Sequence, residues 1–211
     1  MYKRIFKRLL DFLIALIATP FVLLAILVMA PIIYFNDPGP VFYNANRIGK
    51  NGRYFKMFKL RSMYVNAPDI RNADGSTYNG DRDPRVTKIG RIMRKTSIDE
   101  LPQILNVLIG DMSFVGPRPT VSAKQFVLSD LDAMKQKHYE VRPGITGYSQ
   151  AYFRNSISQE EKYENDAYYV DHISFLFDVK ILFQTVTSVL MRKNIYVEQS
   201  KAEKKKEEAL K

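Results

Sequence analysis

From Phe12 to Phe35 the chain runs for 24 residues without a charge, and Thr19 is almost the only polar side chain among them. At about 1.5 Å per residue a straight helix of that length reaches about 36 Å, enough for a hydrocarbon core of about 30 Å. A cleaved signal peptide fits less well, because the run exceeds the roughly 7 to 15 apolar residues of such a segment and lacks a clear small-x-small site. The sequence therefore predicts a membrane protein.

Pro20 falls inside this run, where its missing N–H and its ring disturb the helix one turn back, so a break or kink is expected at Thr19-Pro20. Each half is then too short to cross. Lys3, Arg4, Lys7 and Arg8 precede the run, and Arg47, Lys50, Arg53, Lys56, Lys59 and Arg61 follow it with no acid between Pro38 and Pro68. A spanning helix would leave one of these clusters outside, against the positive-inside bias. A re-entrant helix-break-helix keeps both in the cytoplasm. The charges favour re-entrance; a kinked spanning helix is the alternative, since membrane helices tolerate proline.

The chain has 211 residues, long enough for one domain with an appendage. It has no cysteine, which excludes disulfides, thiolate metal sites and cysteine nucleophiles. A formal net charge of +10 points to an anionic partner: nucleic acid, lipid headgroups or a phosphorylated substrate. The charge-free anchor argues against nucleic acid.

Asn36 to Pro40 reads as a turn ending the membrane element. Val41–Asn46 and Arg53–Met63 have strand character, and Lys50-Asn51-Gly52 between them reads as a hairpin turn. Residues 66–87, rich in Asn, Asp, Gly, Pro and Ser, predict a long surface loop. Helices are expected over Lys88–Lys95, Leu101–Leu108, Val121–His138, Ser158–Asp171 and Phe175–Arg192, with Ser158 and Glu161 spaced as a capping box. Glu198–Lys211 alternates Lys and Glu and predicts a solvated helix or a disordered tail. The expected fold is α+β and mainly helical: a re-entrant anchor over 1–36, a small cytoplasmic domain over 37–195 packed on the membrane face, and a charged tail over 196–211.

Two adjacent carboxylates, Asp99 and Glu100, stand between a basic helix and an apolar one. Ser97 to Glu100 matches Ser-x-x-Glu, so the plainest account is a capping box at a helix start, with Asp99 favoured by the helix dipole. The surrounding charge raises a chemical reading. Arg85, Lys88, Arg91, Arg94 and Lys95 precede the pair, and Arg118 follows in a proline-bracketed turn. A carboxylate among cations stays ionised at pH 7 and can act as nucleophile or magnesium ligand, while arginine offers phosphate a bidentate fork. Phosphoryl chemistry and simple ion pairing both fit. Arg142-Pro-Gly-Ile-Thr-Gly-Tyr-Ser-Gln150 reads as a stiff turn whose glycines let backbone approach a ligand, or as an ordinary helix connection. His138 and His172 are isolated, without zinc spacing, and are expected to be structural.

Lys7-Arg-Leu-Leu-Asp11, Asp37-Pro-Gly-Pro-Val-Phe-Tyr43, Phe58-Lys-Leu-Arg-Ser-Met63, Thr96-Ser-Ile-Asp-Glu-Leu-Pro-Gln103, Gly116-Pro-Arg-Pro119 and Arg142-Pro-Gly-Ile-Thr-Gly147 occur in that order. Together they closely resemble the bacterial sugar transferases, the monotopic phosphoglycosyl transferases. The likeness runs from about residue 3 to residue 185 and looks like the short form of the family, without an extra membrane bundle ahead of the core.

The resemblance implies transfer of a phosphosugar from a UDP-sugar to polyprenol (undecaprenyl) phosphate at the cytoplasmic face of the bacterial inner membrane. This would be the initiating step of glycan or glycoconjugate assembly, with 37–195 as the catalytic domain. Carried onto this sequence, it makes Asp99 the nucleophile and Glu100 its partner, with magnesium held by Asp99 and shared with phosphate oxygens. Arg118 falls at the phosphate-contacting arginine; Lys59, Arg94 and Arg142 are secondary contacts for phosphate or uridine. Thr19-Pro20 falls at the family's helix-breaking pair, which supports re-entrance, and the basic run from Arg47 to Arg61 would face lipid headgroups and the acceptor. Direct displacement, with Asp99 and Glu100 only holding magnesium, and a non-catalytic scaffold on anionic lipid are the alternatives. The sugar and any homo-oligomer are left open.

Overall fold

In the computed structural model of the chain, which describes residues 1–70, 78, 80, 83–121, 126–154 and 156–191, the apolar run is helical throughout. A π-helical turn, Tyr2–Phe6, leads into α1, Lys7–Asn36, which contains both Pro20 and Pro31. The expected division into two helices at Thr19-Pro20 is absent. A proline deletes one backbone bond of the ladder, and the turns on either side keep theirs. The Thr19 hydroxyl folds back on the Ala15 carbonyl at 2.7 Å, so this polar group is satisfied inside the helix.

Most of α1 is bare: Ile17, Phe21 and Leu27 expose 70%, 72% and 71% of their surface. An apolar patch of this extent with no protein cover is what a membrane segment presents. The docked stripe of α1 lies on one body: Val22 is buried, and Ile26 and Met29 pack against the cluster of Ile33, Leu60 and Met93. Near the start, Ala15 is buried among Met57, Val107 and Met112, and near the end Ile33 packs with Leu60 and Met93. Polar contacts fix the same two places. The Arg8 guanidinium donates to the carbonyls of Val107 and Leu108 (2.6 and 2.9 Å), and buried Asp11 accepts from the Phe114 amide (3.2 Å). Lys7 and Tyr2 converge on Asp178 (2.6 and 2.7 Å). At the far end Arg61 pairs with Asp37 and donates to the Pro40 carbonyl at 2.6 Å.

The hairpin forms, with β1, Ala45–Ile48, antiparallel to β2, Tyr54–Met57, and Ile48 opposite Tyr54. Its loop takes positive φ at Asn51 (56°) and Gly52 (75°), the residue types that tolerate it. The first strand starts later than expected: Val41–Asn46 contributes only a bridge from Phe42 to Leu60 before Ala45. The segment just before it is pinned instead to the Arg61 side chain through Asp37 and Pro40. Two short segments add unforeseen pairing. β3, Ser113–Val115, lies parallel to β5, Gly144–Thr146, and β4, Thr120–Val121, joins the free edge of β1.

The helices are α2 (Lys88–Thr96), α3 (Gln103–Ile109), α4 (Ala133–His138), α5 (Tyr148–Tyr152), α6 (Gln159–Asp171) and α7 (Phe175–Leu190). The helix expected over Val121–His138 reduces to α4. Val121 belongs to β4, and Asp132 starts the helix late by accepting from the Lys135 amide at 2.8 Å. The capping box of α6 is complete, with Glu161 N–H on Ser158 Oγ (3.2 Å) and Ser158 N–H on Glu161 Oε2 (2.7 Å). α7 buries Ile181 with Val115, Val141 and Tyr169, and leaves Phe175, Leu176, Val179, Phe183 and Val186 exposed along its other side. In the expected loop region, buried Arg85 pairs with Asp83 (2.8 Å) and donates to the carbonyls of Pro68 and Tyr78 (3.2 and 2.9 Å), tying the loop's two ends together. The charged tail, 196–211, lies outside the described residues.

Candidate active site

The apolar stretch Leu101–Leu108 carries two amides, Gln103 and Asn106, and Asn106 is fully buried. Its Oδ1 accepts from the Phe58 amide and its Nδ2 donates to the Lys56 carbonyl, both at 2.8 Å. These bonds hold α3 against the end of β2, where the next side chain is Lys59. The Leu60 amide donates to the Asp99 carbonyl at 2.9 Å, so the strand extension and the turn ahead of α3 are locked together. Sequence reasoning passed over Asn106; the signal was an amide inside an apolar helix, which when buried needs partners.

Ile98–Glu100 forms a single 3-10 turn, preceded by Ser97 at φ 59°. The capping box expected at Ser97 is not made: Ser97 ends α2 in the left-handed region, and its side chain caps nothing. A non-glycine residue held there, directly ahead of two acids, is the kind of local strain found at functional sites. The carboxylates are thereby free for other partners.

Asp99 is 1% exposed. Lys59 Nζ stands 2.9 Å from Asp99 Oδ2 and 3.1 Å from Glu100 Oε1, bridging the two acids. The contact to Oδ2 is an ion pair without hydrogen-bond alignment, so this buried oxygen has no directional partner. Arg118, largely exposed, reaches Glu100 Oε1 at 3.4 Å from the Gly116-Pro-Arg-Pro119 turn. Burial alone would raise the Glu100 carboxyl, but Lys59 and Arg118 outweigh it and hold it at about 2. Asp99, Glu100, Lys59 and Arg118 thus meet in one place.

Arg94 donates from its Nε to Ser62 Oγ at 3.0 Å. Arg142 is elsewhere. Its Nε donates to the Gly110 carbonyl at 2.7 Å, next to the Arg8 contacts at the far end of α3. Cations at helix carbonyl ends are favoured by the dipole, which accounts for its position. The glycines after Arg142 serve a backbone contact. A Cβ on Gly144 would fall 2.2 Å from the Gly116 amide nitrogen, so Gly144 is what lets β5 lie against the turn that carries Arg118. Both histidines are structural, as expected: buried His138 bonds Asp166 at 2.8 Å, and His172 stacks on Tyr168. Among the described residues no cluster of three or more His, Cys, Asp or Glu side chains forms a metal cage.

The profile of the family described as bacterial sugar transferase matches residues 2–192. Named relatives agree. The uncharacterized sugar transferase EpsL of Bacillus subtilis is 41% identical over 191 residues, covering 90% of each chain. The UDP-N-acetylgalactosamine-undecaprenyl-phosphate N-acetylgalactosaminephosphotransferase of Aeromonas hydrophila is 40% identical over 190 residues, 87% of this chain but 43% of that one. The undecaprenyl-phosphate galactose phosphotransferase of Salmonella typhimurium is 37% identical over 172 residues, 76% of this chain and 35% of that one. This chain therefore matches EpsL along nearly its full length and spans less than half of the two larger enzymes.

Proposed function

The chain belongs to the bacterial sugar transferase family, and on that premise we propose that it transfers a sugar phosphate from a UDP-sugar to polyprenol phosphate, releasing UMP, through a covalent intermediate on Asp99. The observation that carries this reading is the buried Asp99 carboxylate, paired with Lys59 and flanked by Glu100 and Arg118. An Asp99 oxygen would form a bond to the β-phosphorus as the bridging P–O bond breaks, and UMP would leave with the bridging oxygen and its electron pair. A polyprenol phosphate oxygen would then attack the same phosphorus and return the carboxylate. Both nucleophiles are already anionic, so neither step needs a base. Splitting the transfer lets a soluble donor and a lipid acceptor use the site in turn.

Lys59, freed from the neutralised carboxylate as the acyl phosphate forms, would hold a phosphate oxygen, and exposed Arg118 would receive the pyrophosphate from solvent; their contacts to Asp99 and Glu100 support this. Magnesium fits this donor set, because it takes one or two carboxylates and completes its shell with phosphate oxygens and water. Asp99 and Glu100 would hold it, and it would screen the pyrophosphate charge.

We place α1 in the membrane as a re-entrant element, with the domain on the cytoplasmic face of the inner membrane. Its support is that Arg8 and Asp11 at one end, and Asp37 at the other, bind the same domain. A spanning helix would part those ends by about 30 Å of hydrocarbon. The bare stripe of α7 adds a second apolar surface beside the start of α1.

The test is purified protein with magnesium and radiolabelled UDP-sugars, without polyprenol phosphate. Label on denatured wild type together with UMP release, both lost in Asp99→Asn, is the expected result. UMP release that appears only once lipid is added, with no label at any time, would replace the covalent route by direct displacement.

A further inference from the structure

A second cationic site lies at the other end of α3. An open cleft of about 510 Å³ runs between the start of α1, the β1–β2 loop and Glu140–Arg142, lined by Lys3, Arg4, Lys7, Arg8, Lys50 and Arg142. Past Lys50 and Arg142 it continues into a hollow of about 480 Å³ that adds Arg53. The acids along it, Asp11, Glu140 and Asp111, are outnumbered. Asp11 is buried and occupied by the Phe114 amide, and Glu140 meets Lys3 at 3.7 Å.

The cations divide into two sets. Lys7 is bound to Asp178, while Arg8 and Arg142 are bound to the carbonyls that end α3. Arg8 is pulled below its usual value by burial and then by the Arg142 charge beside it, so folding brings together two guanidiniums that repel. Arg4, Lys50 and Arg53 are exposed and make no side-chain hydrogen bond or ion pair among the described residues. The arrangement is a floor of fixed guanidiniums with free cations at its rim, which an anion would relieve.

The surroundings select the anion. The cleft lies at the start of α1, where Ile5, Phe6 and Leu9 are bare, and the Tyr2 ring meets the ring of Phe175, bare like Leu176, edge-on at 6.1 Å. An anion held at the start of a bare apolar helix sits at the level of lipid headgroups. From Asp99 to Ile109 the chain advances ten residues, roughly 15 Å along a helix. A phosphate in the cleft is thus far from the contact of about 3 to 3.5 Å needed to react at the nucleophile.

We propose that this cleft binds the phosphate headgroup of an anionic membrane phospholipid, as a site separate from the one at Asp99. The inference rests on membrane association and not on the transfer chemistry.

The experiment reads bound lipid without any sugar donor. Full-length protein is released from nanodiscs containing phosphatidylcholine and phosphatidylglycerol, and the retained lipids are identified by native mass spectrometry. Wild type is expected to retain phosphatidylglycerol preferentially, and Arg4→Glu/Lys50→Glu to lose that preference by about tenfold. Arg91→Glu/Lys95→Glu, the same charge change on the exposed side of α2, is expected to keep it. Equal loss in both variants would reduce the cleft to diffuse surface charge, and no loss in either would remove it; both overturn the proposal. Retention of added polyprenol phosphate in place of phosphatidylglycerol would also overturn it, by assigning the cleft to the acceptor. Unfolding midpoints of the variants, with Arg4→Gln/Lys50→Gln as the milder pair, separate lost binding from lost structure.

Discussion

The two ends of α3 both gather cations, and they set them against different partners. Ahead of the helix, Lys59 and Arg118 face the full charges of Asp99 and Glu100. Behind it, Arg8 and Arg142 face backbone carbonyls, which carry only the partial charge of a helix end. Charge is matched and buried at the first end, and left over in an open cleft at the second. The difference teaches that a count of cations does not locate chemistry. On the proposed function, the reactive end is the one where an ion pair meets a buried acid whose oxygen lacks a directional partner, and surplus charge at the surface is a place to recruit something.

Removing the ammonium is the strongest way to press this contrast. Lys59→Met should slow UMP release by about 100 to 1,000-fold, the range for loss of one preorganised charge at a reacting phosphoryl or acyl group. Arg142→Met should leave it within about threefold per folded molecule. Single-turnover kinetics with a UDP-sugar would measure both, and an equal loss in the two variants would erase the distinction between the ends.

Asn106 tests whether the reactive end depends on how α3 is pinned. Asn106→Leu deletes two hydrogen bonds and leaves the Phe58 amide and the Lys56 carbonyl without them. The expected cost is about 2 to 3 kcal/mol, because buried backbone groups lose their partners. The thermal midpoint in detergent should fall, and turnover of the remaining folded protein should fall with it as Lys59 loses its support. At the other end, Arg142→Met should cost about 1 kcal/mol, the scale of a cation at a helix carbonyl end.

Much of this was legible in the sequence, and the gaps have physical causes. Charge-free length marked α1, and flanking cations marked its two docked ends, because hydrocarbon excludes charge over a known thickness. The capping box at Ser158 was readable because it is a local bond between near neighbours. The same spacing at Ser97 misled, since a left-handed residue ended α2 there and turned the acids toward Lys59, forty residues earlier in the chain. The resemblance assigns Arg142 to phosphate or uridine, and the structure rests its Nε on the Gly110 carbonyl. That carbonyl is a backbone group that no side-chain pattern reports. The parallel pairing of β3 with β5 escaped notice because three-residue strands have no period to detect.

The smallest effect concerns pH, and it separates matched charge from charge held by carbonyls. Asp83 is buried, which by itself pushes its carboxyl up, but the hydrogen bonds and charge of Arg85 outweigh burial and hold it below the ordinary aspartate range. A group depressed in the folded state stabilises it fully above its unfolded value of about 3.9, and that stability is lost as the pH falls further toward the folded value. The gap in unfolding free energy between wild type and Asp83→Asn should therefore be constant from neutral pH to about 5 and narrow from about 4 downward. The gap between wild type and Arg142→Met should stay level over the same range, because neither a guanidinium nor a carbonyl titrates there. Denaturant unfolding of the three proteins at matched pH values would decide it. Parallel narrowing in both variants would mean that acid loosens the whole domain at once, and that the Asp83 pair has no separate share in the acid response.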